Sequence, residues 1–358
     1  MEIFSETTIA LFQFIAAIAA LILIHELGHF LAAKLVGIQV EEFGIGFPPR
    51  LAKLFEAGGT IYSLNWIPLG GFVRPKGENN PEVPGSFAAA SPGARFVMLA
   101  AGPAMNLIAA AILFAMVFVR LDIDITRVEI VEVAPNSPAE QAGLQAGDII
   151  REINGRAIRS TRAIVSIIAQ NLGQEIELEY LRGEATGTVT LVPRRDPPQG
   201  EGAIGILMGN PQGSVGLIDG LYGGALAVGE QARGLLQLPG RLLAGSVSEE
   251  EARLVGYKGM FDIFTDFREQ DQAAPEEVAG VGILSFFGAI SVSLGLLNLL
   301  PIPALDGGRI LFLLPEIVIR KRIPPVYENV INLVGFAMLL VLLIYVNIQD
   351  FVNPINLP

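Results

Sequence analysis

Residues 23–30 of this chain read Leu23-Ile24-His25-Glu26-Leu27-Gly28-His29-Phe30, at the end of an uncharged apolar run that follows Glu6. On a helix, His25 and His29 lie one turn apart on the same face, so both imidazoles can bind one metal ion. Glu26 lies beside them, where a carboxylate can activate a water molecule. Both histidines of the chain belong to this stretch. Ionisable groups in a hydrophobic span are usually functional, so we predict a zinc centre; the alternative is a polar cluster that merely ends the span.

The predicted zinc centre lacks one ligand, because a catalytic site needs three protein ligands and an open position. The chain has no cysteine and no third histidine, so the missing ligand must be a carboxylate at membrane depth. Asp306 is the candidate. It ends the stretch Asn298-Leu299-Leu300-Pro301-Ile302-Pro303-Ala304-Leu305-Asp306, in which two prolines cannot sustain a regular helix. The two glycines that follow are expected to free the backbone. If Asp306 points away from the histidines, Glu316 is the next candidate; the alternative reading of the stretch is a simple exit turn.

The composition is that of a membrane protein. Half of the residues are apolar (51%), 17% are charged, and the mean hydropathy is +0.52. A helix of about 20 apolar residues crosses a bilayer, and four uncharged runs are long enough or nearly so. The first run is too long for a signal peptide and lacks a basic region before it, so we expect it to be retained. The runs lie between Glu6 and His25, Arg95 and Arg120, Glu277 and Asp306, and Glu328 and Asp350.

The predicted fold class is therefore a membrane protein with four transmembrane helices, a membrane-associated β-hairpin region and an inserted α+β domain. The predicted segments are 1–37 (first span, with the HELGH stretch), 38–94 (hairpin region on the cytoplasmic side), 95–120 (second span), 127–195 (inserted domain), 196–276 (linker and amphipathic surface helices), 277–310 (third span) and 328–349 (fourth span). Residues 214–246 are expected to lie on the outer membrane surface rather than to form a fifth span.

Lysine and arginine are concentrated in the two connections that follow the first and third spans. The positive-inside rule places both connections in the cytoplasm, both termini outside, and the inserted domain outside the cytoplasm. The net charge of −12 argues against a nucleic-acid partner. The basic residues concerned are Lys34, Arg50, Lys53, Arg74, Lys76 and Arg95 in the first connection, and Arg309, Arg320, Lys321 and Arg322 in the second.

The inserted domain shows the alternation and turn signals of a small α+β fold. Periodicity predicts a strand at Val128–Val133, a short helix within 136–144, a hairpin at Asn154-Gly155, a helix at 160–171, and a strand at 175–180 that pairs with 186–192.

Taken together, the HELGH stretch and residues 298–307 resemble the two signature motifs of the site-2 proteases, which are intramembrane zinc metalloproteases. The branch that the chain resembles is the bacterial regulator-of-sigma-E protease group, with PDZ domains between spans two and three; here one such domain is found. The resemblance implies that His25, His29 and Asp306 bind Zn²⁺, that Glu26 is the catalytic base, and that Asn298 contacts the substrate backbone, beside the turn prolines Pro301 and Pro303.

Two further segments match this family. Ala101–Asn106 matches its Gly-Pro-x-x-Asn element, although for Asn106 a packing role in span two is at least as probable from the residues alone. Residues 43–73 match its hairpin, with a strand at Thr60–Trp66 and a turn at Leu69–Gly71. The family places such hairpins against the membrane, where Gly70 and Gly71 would help to hold the substrate as an added strand; an ordinary cytoplasmic hairpin is the alternative.

The resemblance implies hydrolysis of peptide bonds within the transmembrane segments of single-span proteins, in the inner (cytoplasmic) membrane. The implied substrates are anti-sigma-factor-like proteins or remnant signal peptides. The PDZ domain would bind a chain end by β-addition or would exclude bulky substrates. The competing hypotheses are a non-proteolytic membrane scaffold that uses its PDZ domain, which predicts no metal dependence, and a metal transporter, which would need more polar residues in spans two and four.

Overall fold

Each of the four uncharged runs contains all or most of one long helix. In the computed structural model, which describes residues 5–248 and 253–354, the elements follow one another as α1 (Glu6–Leu35), β1 (Val40–Ala57), β2 (Thr60–Pro75), α2 (Pro92–Leu121), β3 (Val128–Val133), α3 (Pro138–Gln141), β4 (Ile149–Ile153), β5 (Arg156–Ala157), α4 (Thr161–Gln170), β6 (Ile176–Arg182), β7 (Ala185–Leu191), β8 (Ile206–Gly209), α5 (Leu217–Leu243), α6 (Tyr257–Ala273), α7 (Val281–Leu299), α8 (Asp306–Ile319) and α9 (Pro325–Val352).

Four of these helices are long and apolar enough to cross a membrane, namely α1, α2, α7 and residues 326–352 of α9. This confirms the predicted four-helix core. The predicted third span, 277–310, is interrupted: α7 ends at Leu299 and α8 begins at Asp306, because the prolines between them break the helix. Within the described residues, α5 is not among the helices apolar enough to cross, although it has 27 residues.

The chain divides into two compact units, and the first comprises residues 1–113 and 226–358. One of its cores is a cluster of aromatic rings from α1, α6 and α7. Phe264 of α6 lies 5.6 Å from Phe14 of α1 and 5.7 Å from Phe287 of α7, measured between ring centroids. Phe264 is buried, so α6 packs against two spans. It is not merely the surface helix that the sequence predicted.

The hairpin region of this unit is built from two long strands. Residues 42–45 of β1 each pair with two parts of β2, one in 61–64 and one in 71–74. The chain of β2 changes sides near Gly70, whose φ is +100°. The turn predicted at 69–71 therefore lies inside β2, which continues to Pro75. Within the described part of the chain, residues 71–75 form an edge of this sheet.

The second unit, residues 114–225, contains the predicted PDZ domain. Its strands are ordered β7-β6-β4-β3-β8, with β5 paired to β4. The predicted strands and helix appear within a residue or two of their expected bounds, and Ser160 caps α4. One boundary was wrong: β8 pairs with β3, so the sheet extends beyond residue 195 into the segment predicted to be a linker. Its core is lined by isoleucine, valine and leucine side chains such as Val128, Ile150 and Leu178.

Candidate metal centre

His25, His29 and Asp306 meet at one point. The two histidines lie one turn apart on α1, and Asp306 is the first residue of α8. Oδ2 of Asp306 is 3.1 Å from Nε2 of His25 and 3.3 Å from Nε2 of His29. The two Nε2 atoms are 3.1 Å apart. Both histidines are buried. The Asp306 carboxylate is distant from them in the sequence, but it lies close to both of their Nε2 atoms.

The spacing of these three atoms fits a zinc ion. Ligand atoms at the zinc–ligand distances of about 2.0–2.2 Å, on the corners of a tetrahedron, are separated by about 3.3–3.6 Å. The observed separations of 3.1–3.3 Å are close to that range. Two imidazoles and one carboxylate are also a donor set that catalytic zinc sites use, with one coordination position left for water or substrate.

One face of α2 forms the wall behind the imidazoles, through residues spaced four apart. The Nδ1–H of His29 donates to the carbonyl oxygen of Met98 at 2.7 Å. Gly102 follows, where an added Cβ would lie 2.4 Å from Nε2 of His29 and 2.8 Å from Nε2 of His25. Asn106 comes next, with its amide 3.2 Å from Nδ1 of His25. Because real Cβ contacts of that length essentially do not occur, Gly102 leaves the space in which the two Nε2 atoms lie.

Glu26 is close to the cluster but is not part of it. Its Oε2 accepts a hydrogen bond from the backbone N–H of Val73 at 3.0 Å. Val73 belongs to the edge of β2. The carboxylate is thus held between α1 and the hairpin, and its second oxygen takes no part in that bond.

The turn that carries Asp306 is tight. Pro301 and Pro303 separate α7 from α8, and Ala304 adopts a left-handed conformation with φ of +74°. For a residue with a Cβ this region is unfavourable. The surrounding structure must therefore hold the turn in place.

Two glycines allow the turn to fold back on α8. A Cβ on Gly307 would lie 2.2 Å from the carbonyl oxygen of Leu300, and one on Gly308 would lie 2.2 Å from that of Ile302. Both glycines are helical, so the expectation that they supply backbone freedom is wrong. They are needed because carbonyl groups press against the first turn of α8.

Helix α9 supports the same turn from another side. The N–H of Ala304 donates to Oδ1 of Asn332 at 3.0 Å. A Cβ on Gly335 would lie 2.5 Å from Cβ of Pro303. The backbone of α9 therefore lies directly against the segment that presents Asp306.

Glu316, the other carboxylate considered, has a different partner. It lies ten residues beyond Asp306 on α8 and pairs with Arg95 at 2.5 Å. The side chain of Arg95 is only 4% exposed. This ion pair joins α8 to the beginning of α2 and leaves Asp306 as the carboxylate at the histidines.

A cavity of about 300 Å³ opens beside the cluster. Its walls include Glu26, Gly71 and Asn298. The Asn298 side chain donates to the carbonyl oxygen of Leu294 at 3.0 Å, within its own helix. Gly70 is not among the residues that line this cavity; an added Cβ there would meet Ile22 at 3.0 Å. Of the two glycines predicted to hold substrate, Gly71 is therefore the one that borders the site.

Several contacts of the centre are not predicted by the sequence. The Met98 carbonyl and the Val73 amide are backbone groups, which every non-proline residue has. The residue types at positions 98 and 73 therefore do not predict these hydrogen bonds. Gly102 and Asn106 do leave a signal, because they are four residues apart and fall on one helical face. That face could have been aligned with the face that carries His25 and His29.

Comparisons with known proteins identify the family of the chain. A sequence model of peptidase family M50 matches residues 13–342. A protein of Clostridium perfringens, named as a candidate zinc metalloprotease, is 36% identical over 344 residues, which cover 95% of this chain and 97% of that protein. Zinc metalloprotease RasP of Oceanobacillus iheyensis is 28% identical over 430 residues, covering 94% of this chain and 97% of RasP. Among solved structures, the PDZ domain of the SdrC-like protein of Listeria monocytogenes is 26% identical, covers 23% of this chain and 87% of that domain, and has a TM-score of 0.21.

The family match begins inside the first membrane helix and ends inside the last. The named relatives align over almost their whole length and are zinc metalloproteases by name, which favours an enzyme over a scaffold. The chain therefore belongs to peptidase family M50, and it is a membrane zinc metalloprotease of the site-2 type.

Proposed function

We propose that this enzyme hydrolyses peptide bonds within the transmembrane segments of single-span proteins, as in regulated intramembrane proteolysis. The observation that carries the proposal is that His25, His29 and Asp306 meet beside Glu26. The two histidines and Glu26 lie on α1, which is apolar and long enough to cross a membrane. A hydrolytic centre at such a helix acts on a peptide bond that lies in or near the bilayer.

We infer that His25, His29 and Asp306 hold the zinc ion through Nε2, Nε2 and Oδ2. A bound zinc lowers the pKa of water and polarises the scissile carbonyl. The buried imidazoles and Gly102 keep competing groups away from those three atoms. The open side of the cluster faces the cavity that Glu26 and Gly71 border.

Glu26 acts as the general base in this proposal. One of its oxygens takes the proton of the attacking water and returns it to the leaving amine. The hydrogen bond from the Val73 amide to Oε2 fixes the direction of the carboxylate. The same bond ties the position of the base to the strand edge beside it.

The substrate would add a strand to the edge formed by residues 71–75. Along a strand, the N–H and C=O groups of alternate residues point to the same side. Because the Val73 N–H points at Glu26, the backbone groups of Gly71 face the same way, into the cavity. A transmembrane helix has its carbonyls bonded internally. The Val73 N–H is already bonded to Glu26, so the Gly71 N–H is the donor on this edge that would replace one of those bonds once the helix unwinds. Asn298 is the side chain in the cavity wall proposed to contact the substrate backbone.

The hairpin also carries apolar side chains that favour contact with lipid. Exposed examples are Leu51, Leu54, Phe55 and Trp66. In water these apolar side chains would stay exposed and would not stabilise the hairpin. Contact with a bilayer surface would bury them. We propose that the hairpin lies against the membrane on the cytoplasmic side, with both termini and the PDZ domain outside, in the cytoplasmic membrane. Substrates would be single-span proteins already shortened on the outside, either anti-sigma-factor-like proteins or remnant signal peptides.

The test is cleavage of a model single-span protein in reconstituted vesicles, with products mapped by mass spectrometry. The wild-type enzyme should cut within the apolar segment and lose activity when zinc is chelated. Glu26→Gln should retain zinc, because Glu26 is not a ligand, and should lose about 10²- to 10⁴-fold in rate. His25→Ala should lose both zinc and activity. Cuts confined to residues outside the apolar segment, or full activity of Glu26→Gln, would refute the proposal.

A further inference from the structure

The metal cluster constrains the protons of its two histidines. In each imidazole it is Nε2 that points at Asp306 and at the other ring. A neutral imidazole carries one N–H, and only the nitrogen without it can bind a metal. Both rings must therefore carry their proton on Nδ1 when zinc is bound.

For His29 the protein determines this unambiguously. Its Nδ1 lies 2.7 Å from the carbonyl oxygen of Met98. A carbonyl oxygen can only accept, so Nδ1 must hold the proton and Nε2 must be bare. A backbone group of α2 thus selects the metal-binding tautomer of one imidazole.

For His25 the neighbouring group is an amide, which can either donate or accept. With Nδ2 of Asn106 placed 3.2 Å from Nδ1 of His25, the amide donates and the ring proton is forced onto Nε2, toward the metal position. The same placement leaves Oδ1 of Asn106 buried without a hydrogen-bond partner. Asn106 itself is 1% exposed, so bulk solvent does not reach this amide.

Turning the amide by 180° removes the conflict at His25, because it places an acceptor against Nδ1 of that ring. The exchange of Oδ1 and Nδ2 changes no shape. Oδ1 then accepts the Nδ1–H of His25, and Nε2 is left bare. The Nδ2 group is then a free donor. Elsewhere in this chain Asn298 and Asn347, on helices, and Asn171, at the C-terminal cap of α4, each donate from Nδ2 to the carbonyl four residues earlier.

We propose that Asn106 is a positioning residue for the metal: its Oδ1 accepts from Nδ1 of His25 and holds that imidazole in the tautomer whose Nε2 binds zinc. This rests on the proposed function, in which His25 is a ligand. It gives His25 the kind of hydrogen-bonded partner that metal-binding histidines ordinarily have, and it makes the two rings equivalent, one held by a carbonyl and the other by an amide oxygen.

Two variants separate accepting from donating. Asn106→Asp keeps the shape and can only accept, whereas Asn106→Leu can do neither. Zinc affinity is measured by chelator competition on the full detergent-solubilised chain. We expect Asn106→Leu to bind zinc about 10- to 100-fold more weakly, and Asn106→Asp to bind at least as tightly as the wild type. Wild-type affinity of Asn106→Leu, or an Asn106→Asp variant weaker than Asn106→Leu, would overturn the proposal.

Ser291→Ala is the matched control for packing. Its hydroxyl is buried and donates to the backbone carbonyl of Asn106 at 2.8 Å, so the variant disturbs the same helix contact without touching the amide. It should bind zinc as the wild type does. A loss equal to that of Asn106→Leu would mean that packing, and not the amide oxygen, is responsible.

The histidine content gives a direct second measurement. The chain has two histidines, so ¹⁵N-histidine labelling reports on these rings alone. In the zinc-loaded wild type both Nδ1–H protons should be protected from exchange, and in Asn106→Leu only that of His25 should lose protection. Equal protection in Asn106→Leu would contradict the role of Asn106 while leaving the ligand assignment intact. Zinc binding that survives His25→Ala would instead refute the ligand assignment.

Discussion

Gly102 determines whether the two imidazoles can approach a common ion. A methyl group at this position would lie 2.4 Å from Nε2 of His29 and 2.8 Å from Nε2 of His25. We expect Gly102→Ala to abolish zinc binding, because the rings must rotate away or α2 must move. Zinc content of the purified protein measures the effect.

Gly93 provides the control in the same helix. An added Cβ at Gly93 meets nothing within 4 Å. Gly93→Ala should therefore retain zinc, and its helix propensity should if anything rise. If Gly102→Ala retained a full zinc content as well, the close approach of α2 to the rings would be wrong.

Asp306 and Glu316 can be compared directly, since both carboxylates lie on α8. Asp306→Asn keeps the shape but removes the charge that closes the cluster, so zinc should bind at least about tenfold more weakly and cleavage should fall sharply. Glu316→Gln breaks the pair with Arg95 and should lower thermal stability while zinc remains bound. The reverse pattern would identify Glu316 as the ligand.

At the scale of residues, the sequence predicts the side chains of the proposed ligands. His25, His29 and Asp306 follow from the ligand count, because the chain offers so few alternatives. The groups that hold them are different in kind. These groups are the Met98 carbonyl, the Val73 amide and the space at Gly102. Their positions depend on which faces of the helices and strands are in contact, and a single sequence does not predict those contacts.

Among the elements, the β1–β2 hairpin contains a buried charge. Glu42 accepts from Ser63 at 2.7 Å and pairs with Arg50 at 2.7 Å and Arg74 at 3.0 Å. Burial alone would raise the pKa of Glu42, but the hydrogen bonds from Ser63 and Arg50 and the charges of the two arginines outweigh it and lower that pKa.

This lowered pKa makes hairpin stability depend on pH. The folded pKa lies below the ordinary value of about 4.3, so the ionised pair stabilises the hairpin above that pH, and the contribution is lost as pH falls through the folded pKa. Trp66 lies in β2 and is the single tryptophan of the chain, so its fluorescence reports on this element. The emission should change in an acid transition below about pH 4.3.

The matched variants are Glu42→Gln and Glu56→Gln. Glu42→Gln removes charged hydrogen bonds and should cost about 1–3 kcal/mol of hairpin stability at pH 7, with a flatter acid transition. Glu56 is exposed and pairs with Lys53, which is exposed as well, so Glu56→Gln should titrate like the wild type. Identical transitions for all three proteins would exclude Glu42 as the responsible group.

The elements differ in how far the sequence predicts them. Strand β6 alternates apolar and charged residues, and it was predicted to within two residues of its bounds. Strand β3 was predicted with its observed bounds. Strand β8 has four residues, of which the last is Gly209. It is too short for a periodicity to appear, and it was taken for a linker. Helix α6 has the composition of a surface helix, and only its aromatic contacts with two membrane spans reveal that it is packed.

For the whole molecule the open question is orientation, and the absence of cysteine makes it directly testable. Single cysteines are introduced at Glu184, exposed in the β6–β7 turn, and at Lys321, exposed between α8 and α9. Ser160 would be a poorer choice, because its hydroxyl caps α4. In intact cells an impermeant maleimide should label Glu184→Cys and spare Lys321→Cys. Labelling in the opposite pattern would reverse the predicted topology.

The support that α9 gives to the turn before Asp306 bears on how small this enzyme can be made. A fragment ending after α8 would still contain the HELGH stretch, the Asp306 motif and every proposed ligand. It would lack Asn332, which holds the left-handed Ala304, and the close surface at Gly335 against Pro303. Such a fragment would contain both sequence motifs. The segment before Asp306, the proposed third ligand, would nevertheless lack its contacts with α9. With the proposed ligands, we therefore expect the last helix to belong to the minimal catalytic unit, although none of its described residues is among those ligands.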